Sequence, residues 1–154
     1  MAGMTEARLQ ELGLELPSAP APAASYVPTV ITGSLLFTAG QVPVKDGQRL
    51  FVGKVGATMD VATAQEAAKL CALNILAQVK AAIGDLDRVR RCVKVLGFVN
   101  ATPEFGEHPA VINGASDLLV AVLGERGRHA RSAVGAGSLP FGVAVEVEAI
   151  FEIE

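Results

Sequence analysis

The chain has 154 residues and a formal net charge of −3, a length that fits one domain around one core. Hydrophobic residues make up 51% and charged residues 19%. That balance is apolar for a small domain and suggests a second apolar surface hidden in an oligomer. No apolar run approaches the roughly 20 residues of a membrane span, and the net negative charge argues against a nucleic-acid binder, whose surface carries a basic surplus.

Residues 1 to 16 are expected to hold a short helix, with Thr5 as its cap and Leu9 and Leu12 on one face. No positive segment followed by an apolar stretch opens the chain, so no signal peptide is expected. The run Leu16-Pro17-Ser18-Ala19-Pro20-Ala21-Pro22 breaks any helix and favours an extended path. Residues 1 to 25 therefore read as an arm on a single domain of residues 26 to 154. Tyr26 to Thr32 and Leu35 to Gln41 read as strands joined at Gly33-Ser34, a two-residue hairpin signal. A turn follows at Asp46-Gly47, then a short third strand from Arg49 to Val52.

Residues 63 to 83 give the clearest helix. Thr63 and Glu66 have capping-box spacing, Ala68, Cys71, Ala72, Ile75, Val79 and Ile83 form the apolar stripe, and Gly84 supplies the stop. Arg88 to Val99 reads as a strand. His108-Pro109 starts a second long helix that ends at Gly124. Two strands close the chain, at about 131 to 136 and 143 to 153. The order predicts an α+β domain, one sheet covered on one face by two helices, with the other face left for a partner.

Cys71 and Cys92 lack metal-ligand spacing and read as small buried hydrophobes, consistent with a reducing, cytoplasmic setting. His108 and His129 lack a cluster of ligands, so no metal is expected. The basic runs 88 to 91 and 126 to 131 read as a solvated strand start and a charged loop.

Period-two alternation sorts the last strand. Val145, Val147, Ala149 and Phe151 point one way; Glu146, Glu148, Ile150 and Glu152 point the other. If Leu139-Pro140-Phe141-Gly142 is a tight connection, a simple antiparallel register sets Arg131 opposite 146 to 148. That allows a structural cross-strand ion pair, worth ~0.2–1 kcal/mol if exposed. It also allows a site: an arginine to bind a carboxylate through two hydrogen bonds and a glutamate to hold water or move a proton.

The same residues carry a resemblance. Arg131-Ser132-Ala133-Val134, Leu139-Pro140 and Val145-Glu146-Val147-Glu148-Ala149 resemble the C-terminal signature of the reactive intermediate deaminase (Rid) family. The family is also called YjgF or endoribonuclease L-PSP. Tyr26, Gly33 and Phe37-Thr38-Ala39-Gly40-Gln41-Val42-Pro43 resemble its tyrosine followed by a serine-glycine-glutamine-(Ile/Val)-proline strand. Asn113 stands where many members have asparagine. The arm, Leu73-Asn74-Ile75-Leu76 and the segment 124 to 131 are similar to a longer, chorismate-mutase-like branch.

The resemblance implies a chorismate-mutase-like (YjgF-type) α+β fold and a homotrimer with sites between subunits. It implies hydrolysis of 2-imino or 2-enamino acids, by-products of pyridoxal-phosphate enzymes, to 2-oxo acids and ammonia, with no cofactor. Arg131 would clamp the substrate carboxylate and Glu146 would orient water and assist proton transfer. Tyr26 and Asn113 would line the pocket, and the backbone at Gly40 and Ala133 would sit beside the substrate. Two positions depart: Ala39 replaces the family serine, and Ala133 a frequent cysteine. A non-catalytic module binding a small carboxylate or a protein is the first alternative. An endoribonuclease, supported only by the basic loop from Arg126 to Arg131, is the second.

Overall fold

The computed structural model describes residues 3–154. Strand β1 (Thr29–Thr32) and strand β2 (Leu35–Thr38) form the expected hairpin, with Gly33 at φ 58° in its turn. The small hairpin β3 (Val44–Lys45) and β4 (Gln48–Arg49) follows. The third strand thus falls earlier than residues 49 to 52, because Asp46 and Gly47 both take positive φ and turn the chain between Lys45 and Gln48. Helix α2 (Val61–Ile83) leads through a 3-10 turn to β5 (Val89–Asn100), helix α3 (His108–Leu123), β6 (Ala130–Ala136) and β7 (Val145–Ile153).

The five-stranded sheet has the order β1-β2-β7-β5-β6. Strand β7 is antiparallel to both β2 and β5, whereas β6 runs parallel to β5. A parallel pair needs a long crossover, and α3 supplies it. Helix α2 packs on β7 and β2, helix α3 on β5 and β6, and the two helices pack on each other. The core lies between this helical layer and the sheet face carrying Leu36, Val95, Val99, Val145, Val147 and Phe151. No helix covers the other face, where Phe37, Ile150, Leu96, Phe98 and Val134 stand among Glu146, Glu148 and Glu152. Two of these apolar side chains, Phe37 and Val134, are 38% and 42% exposed. Cys71 and Cys92 are buried as expected; burial pushes the Cys92 thiol up to about 12 and the Cys71 thiol well above its ordinary value.

Two caps differ from the sequence reading. Helix α2 starts at Val61, and the Asp60 side chain accepts from the Thr63 amide, so Asp60 rather than Thr63 caps it. Helix α1 (Met4–Glu11) begins before Thr5 and is capped from a distant turn. The Asp87 carboxylate accepts from the backbone amides of Met4 and Thr5, at 2.8 Å each, and from the Thr5 hydroxyl at 2.6 Å. Hydrogen bonds to Thr5 hold the Asp87 carboxyl below its ordinary value. Arg126 Nη2 donates to Thr5 Oγ1, and Lys80 pairs with Glu6 at 2.6 Å, so α1 is tied to the body at several points.

The ion pair that a simple hairpin register would allow across β6 and β7 does not form. Strand β5 lies between them: Arg131 sits beside Val95, and Glu146 beside Phe98. Val95 faces the core and Phe98 the uncovered side, so Arg131 and Glu146 project from opposite faces. The simple hairpin register failed because the α3 crossover places β6 parallel to β5, at the edge of the sheet.

Candidate functional site

Glu146 stands at the floor of a cleft of about 890 Å³. Its walls come from three places: the extended segment 18 to 24 with Tyr26, the bend Ala39-Gly40-Gln41 after β2, and Arg49 with Phe141 at the far end. The proline-rich segment is held there by Gln78 of α2, whose Nε2 donates to the Pro20 carbonyl at 2.6 Å. The bend is held by Gln41, whose amide and carbonyl pair with Val147 at 2.7 and 3.0 Å. Glycine at position 40 lets the Glu146 carboxylate lie against the backbone, since a Cβ there would displace it. Arg49 lies over the Phe141 ring at 3.3 Å from its centroid, a cation–π contact that fixes the cleft's rim. Phe141 takes φ 61°, a conformation costly for a bulky residue and found where surrounding structure imposes it.

Burial raises the Glu146 pKa above its ordinary value, and the Glu148 carboxylate two residues along the same face raises it further. A carboxyl whose pKa is raised in a partly apolar cleft holds its proton more readily and so can donate one as well as accept one.

Arg131 occupies a separate, shallow depression with Ser116 and His129. Its side chain lies against α3. Nη1 donates to Asn113 Oδ1 at 2.8 Å and to Ser116 Oγ at 3.2 Å, and Nη2 donates to the Pro109 carbonyl at 3.4 Å. Those bonds use both hydrogens of Nη1 and one of Nη2. Nε–H and the second Nη2–H have no partner among the described residues, and no carboxylate pairs with this guanidinium. Two free donors on one fixed, permanently charged group match the two oxygens of a carboxylate. Ala133 lies two residues further along β6, beside Gly97, on a strand with no neighbour at its outer edge. Gly97 lets α3 approach, because a Cβ there would meet the Ile112 side chain at 2.5 Å.

The chain matches the model of the family described as "YjgF/chorismate mutase-like, putative endoribonuclease" over residues 6–152. It belongs to that family. It is 50% identical over 153 residues to protein TCP17 of Trypanosoma cruzi, covering 99% of this chain and 96% of that one. Among solved structures, protein Atu1372 of Agrobacterium tumefaciens is 56% identical, with a TM-score of 0.92 over 98% of this chain and 93% of that one. TdcF of E. coli, solved with bound serine, is 30% identical, with a TM-score of 0.65 over 88% and 94% of the two chains. The fuller match to Atu1372 extends over the N-terminal arm, in line with a longer YjgF branch.

The residues expected from the resemblance therefore fall into two groups. Tyr26, Gly40 and Glu146 meet in the cleft; Arg131 and Asn113 meet on α3, with Ala133 on the same strand as Arg131. One chain does not bring the groups together. Ala39, which replaces the family serine, lines the cleft and supplies no hydroxyl. The sequence reading missed Ser116 and the rim pair Arg49–Phe141. Ser116 was findable, since it follows Asn113 by three residues and so shares its helix face. The rim pair joins two turns far apart in sequence and left no local signal.

Proposed function

We propose that the chain hydrolyses 2-imino and 2-enamino acids to 2-oxo acids and ammonia, at a site that two copies complete between them in a homotrimer. The observation that carries this reading is the Arg131 guanidinium: oriented by three acceptors on α3, with two donors left over and no carboxylate beside it. A cation held that way stabilises an anionic ligand. The serine bound in the TdcF structure supports a small ligand bearing a carboxylate in this family.

Arg131 of one copy binds the substrate carboxylate through Nε–H and Nη2–H, with Asn113 holding the guanidinium. A neighbouring copy supplies the cleft with Glu146, Gly40 and Tyr26. An enamine first takes a proton at its β-carbon from the Glu146 carboxyl to give the iminium. The Glu146 carboxylate then accepts a proton from water as the water oxygen bonds to C2, giving a carbinolamine. The Glu146 carboxyl returns that proton to the amine, and its carboxylate then takes the carbinolamine hydroxyl proton as the C–N bond breaks and ammonia departs from a 2-oxo acid. No electron transfer is involved, so this route needs no cofactor. The raised Glu146 pKa suits a group that both takes and returns the proton. Ala133 borders the substrate on the Arg131 side.

The test is release of ammonia and oxo acid from freshly generated 2-aminoacrylate. The wild type is expected to exceed the spontaneous rate, and Arg131→Ala to lose roughly two orders of magnitude. Equality of the wild type with the spontaneous rate contradicts the reading for this substrate. Because Ala39 removes a hydroxyl from the cleft, calorimetry with 2-oxo acids runs beside the assay. Saturable binding without turnover would point to a non-catalytic carboxylate-binding module. One cation of the basic loop is engaged internally: Arg126 donates to the Val89 carbonyl and to the Thr5 hydroxyl. This weakens the case for RNA cleavage.

A further inference from the structure

We infer that Ser116 and His129 are positioning residues for the substrate carboxylate, acting through the Arg131 guanidinium. The inference rests on the proposed role of Arg131 and extends it to two residues that touch no substrate. His129 Nδ1 lies 2.6 Å from the Gly127 carbonyl, which can only accept, so Nδ1 carries a hydrogen. In the neutral ring Nε2 is then an acceptor. Ser116 Oγ lies 2.9 Å from it and donates its single hydrogen there. The hydroxyl lone pairs are thereby turned toward Arg131, and Nη1 donates to them at 3.2 Å. The chain of bonds has one direction: guanidinium to hydroxyl, hydroxyl to imidazole, imidazole to backbone.

Burial, followed by the nearby Arg131 charge, lowers the His129 pKa, while the bond to Gly127 opposes the shift. The ring therefore stays neutral at pH 7 and keeps its acceptor. Arg128 and Asp117 share the depression with His129 and Arg131. A hydroxyl free to rotate could present its own hydrogen to Arg131; the imidazole removes that option. With Asn113 on the same Nη1, two acceptors fix the guanidinium plane and so the direction of its free edge.

The experiment titrates pyruvate, as a 2-oxo acid, into the full-length wild type and Ser116→Ala, Ser116→Thr, His129→Gln and Arg131→Ala, from about pH 7.5 down to about pH 5, since the His129 pKa lies below the ordinary histidine value. Ser116→Ala is expected to raise Kd roughly tenfold. Ser116→Thr keeps the hydroxyl and is expected to restore most of the affinity. In the wild type, protonation of His129 turns Nε2 into a donor and should weaken pyruvate binding as pH falls; His129→Gln keeps an acceptor toward Ser116 without titrating, so it should keep part of the affinity and lose that fall. With 2-aminoacrylate, Ser116→Ala should raise KM more than it lowers kcat. Wild-type affinity in Ser116→Ala overturns the inference, whereas wild-type affinity in Arg131→Ala overturns the underlying function.

A ligand-free readout separates the two if pyruvate does not bind. Guanidinium nitrogen resonances of Arg131 should be distinct for Nη1 and Nη2 in the wild type and merge in Ser116→Ala. Identical spectra would overturn the inference on their own. Should Ser116→Ala fail to fold, Ser116→Thr and His129→Ala carry the same comparison, a merged spectrum in His129→Ala alone supporting the chain of bonds.

Discussion

Glu146 costs the fold something. Half-buried, with Glu148 on the same face, its carboxyl holds a proton more tightly in the native state than in the unfolded chain. The native state therefore binds more protons between the two pKa values, and stability falls as pH rises through the native one. Glu146→Gln removes the charge and keeps the shape. It is predicted to melt at or above the wild-type Tm at pH 7, and to match the wild type below about pH 4, where the native carboxyl is itself neutral. Its kcat is predicted to fall by roughly 10²–10⁴. A loss of stability equal to the loss of activity would mark Glu146 as structural. At this scale a motif singles out residues that the strand pattern leaves equivalent. It separated Glu146 from Glu148, which alternation alone could not, and it chose Arg131 and Asn113, which the structure joins at 2.8 Å. It missed Ser116 although the three-residue spacing from Asn113 puts both on one helix face, because what that face meets, Arg131, comes from another strand.

The helices place Arg131 as much as its own strand does. Helix α3 carries Asn113 and Ser116, and its position depends on close packing against both β5 and α2. Gly114 is the contact point with α2: a Cβ there would overlap the backbone carbonyl of Gln65. Gly114→Ala gains roughly 0.5–1 kcal/mol of helix propensity. It loses more, because backbone cannot swing aside, and overpacking of this kind costs ~1–3 kcal/mol or above. Net destabilisation is predicted as a lower denaturant midpoint at unchanged m, with weaker carboxylate binding as Asn113 and Ser116 move from Arg131. Unchanged stability would show that the helices have room to separate. Helical periodicity and the glycine stops made α2 and α3 legible from sequence. The pairing of β6 was not, because period-two alternation says which face a residue takes and nothing about which strand lies beside it. A hairpin and a crossover with a long return are equally compatible with the alternation of β7. Thr5 and Thr63 looked like caps for a related reason: the groups that cap, Asp87 and Asp60, are respectively remote in sequence and three residues upstream of the expected start.

Across the whole molecule, Arg131 and Glu146 stand on opposite faces of one sheet with β5 between their strands. The apolar composition has a visible counterpart in the uncovered face, where Phe37, Leu96, Phe98, Ile150 and Val134 lie without a helical layer. Burying such a face against other copies would gain roughly 25 cal/mol for each Å² of apolar surface removed from water. It would also dry the cleft around Glu146 and strengthen the charge-assisted contact to a carboxylate. The central claim is that Arg131 of one copy works with Glu146 of another, and subunit mixing tests it most directly. Arg131→Ala and Glu146→Gln are each predicted to lack activity on 2-aminoacrylate as pure proteins. Co-refolded in equal amounts, they should recover about a quarter of the wild-type activity, the fraction of interfaces in a closed ring that pair an intact Arg131 with an intact Glu146. Mixtures that remain as inactive as the separate variants would contradict a site shared between copies.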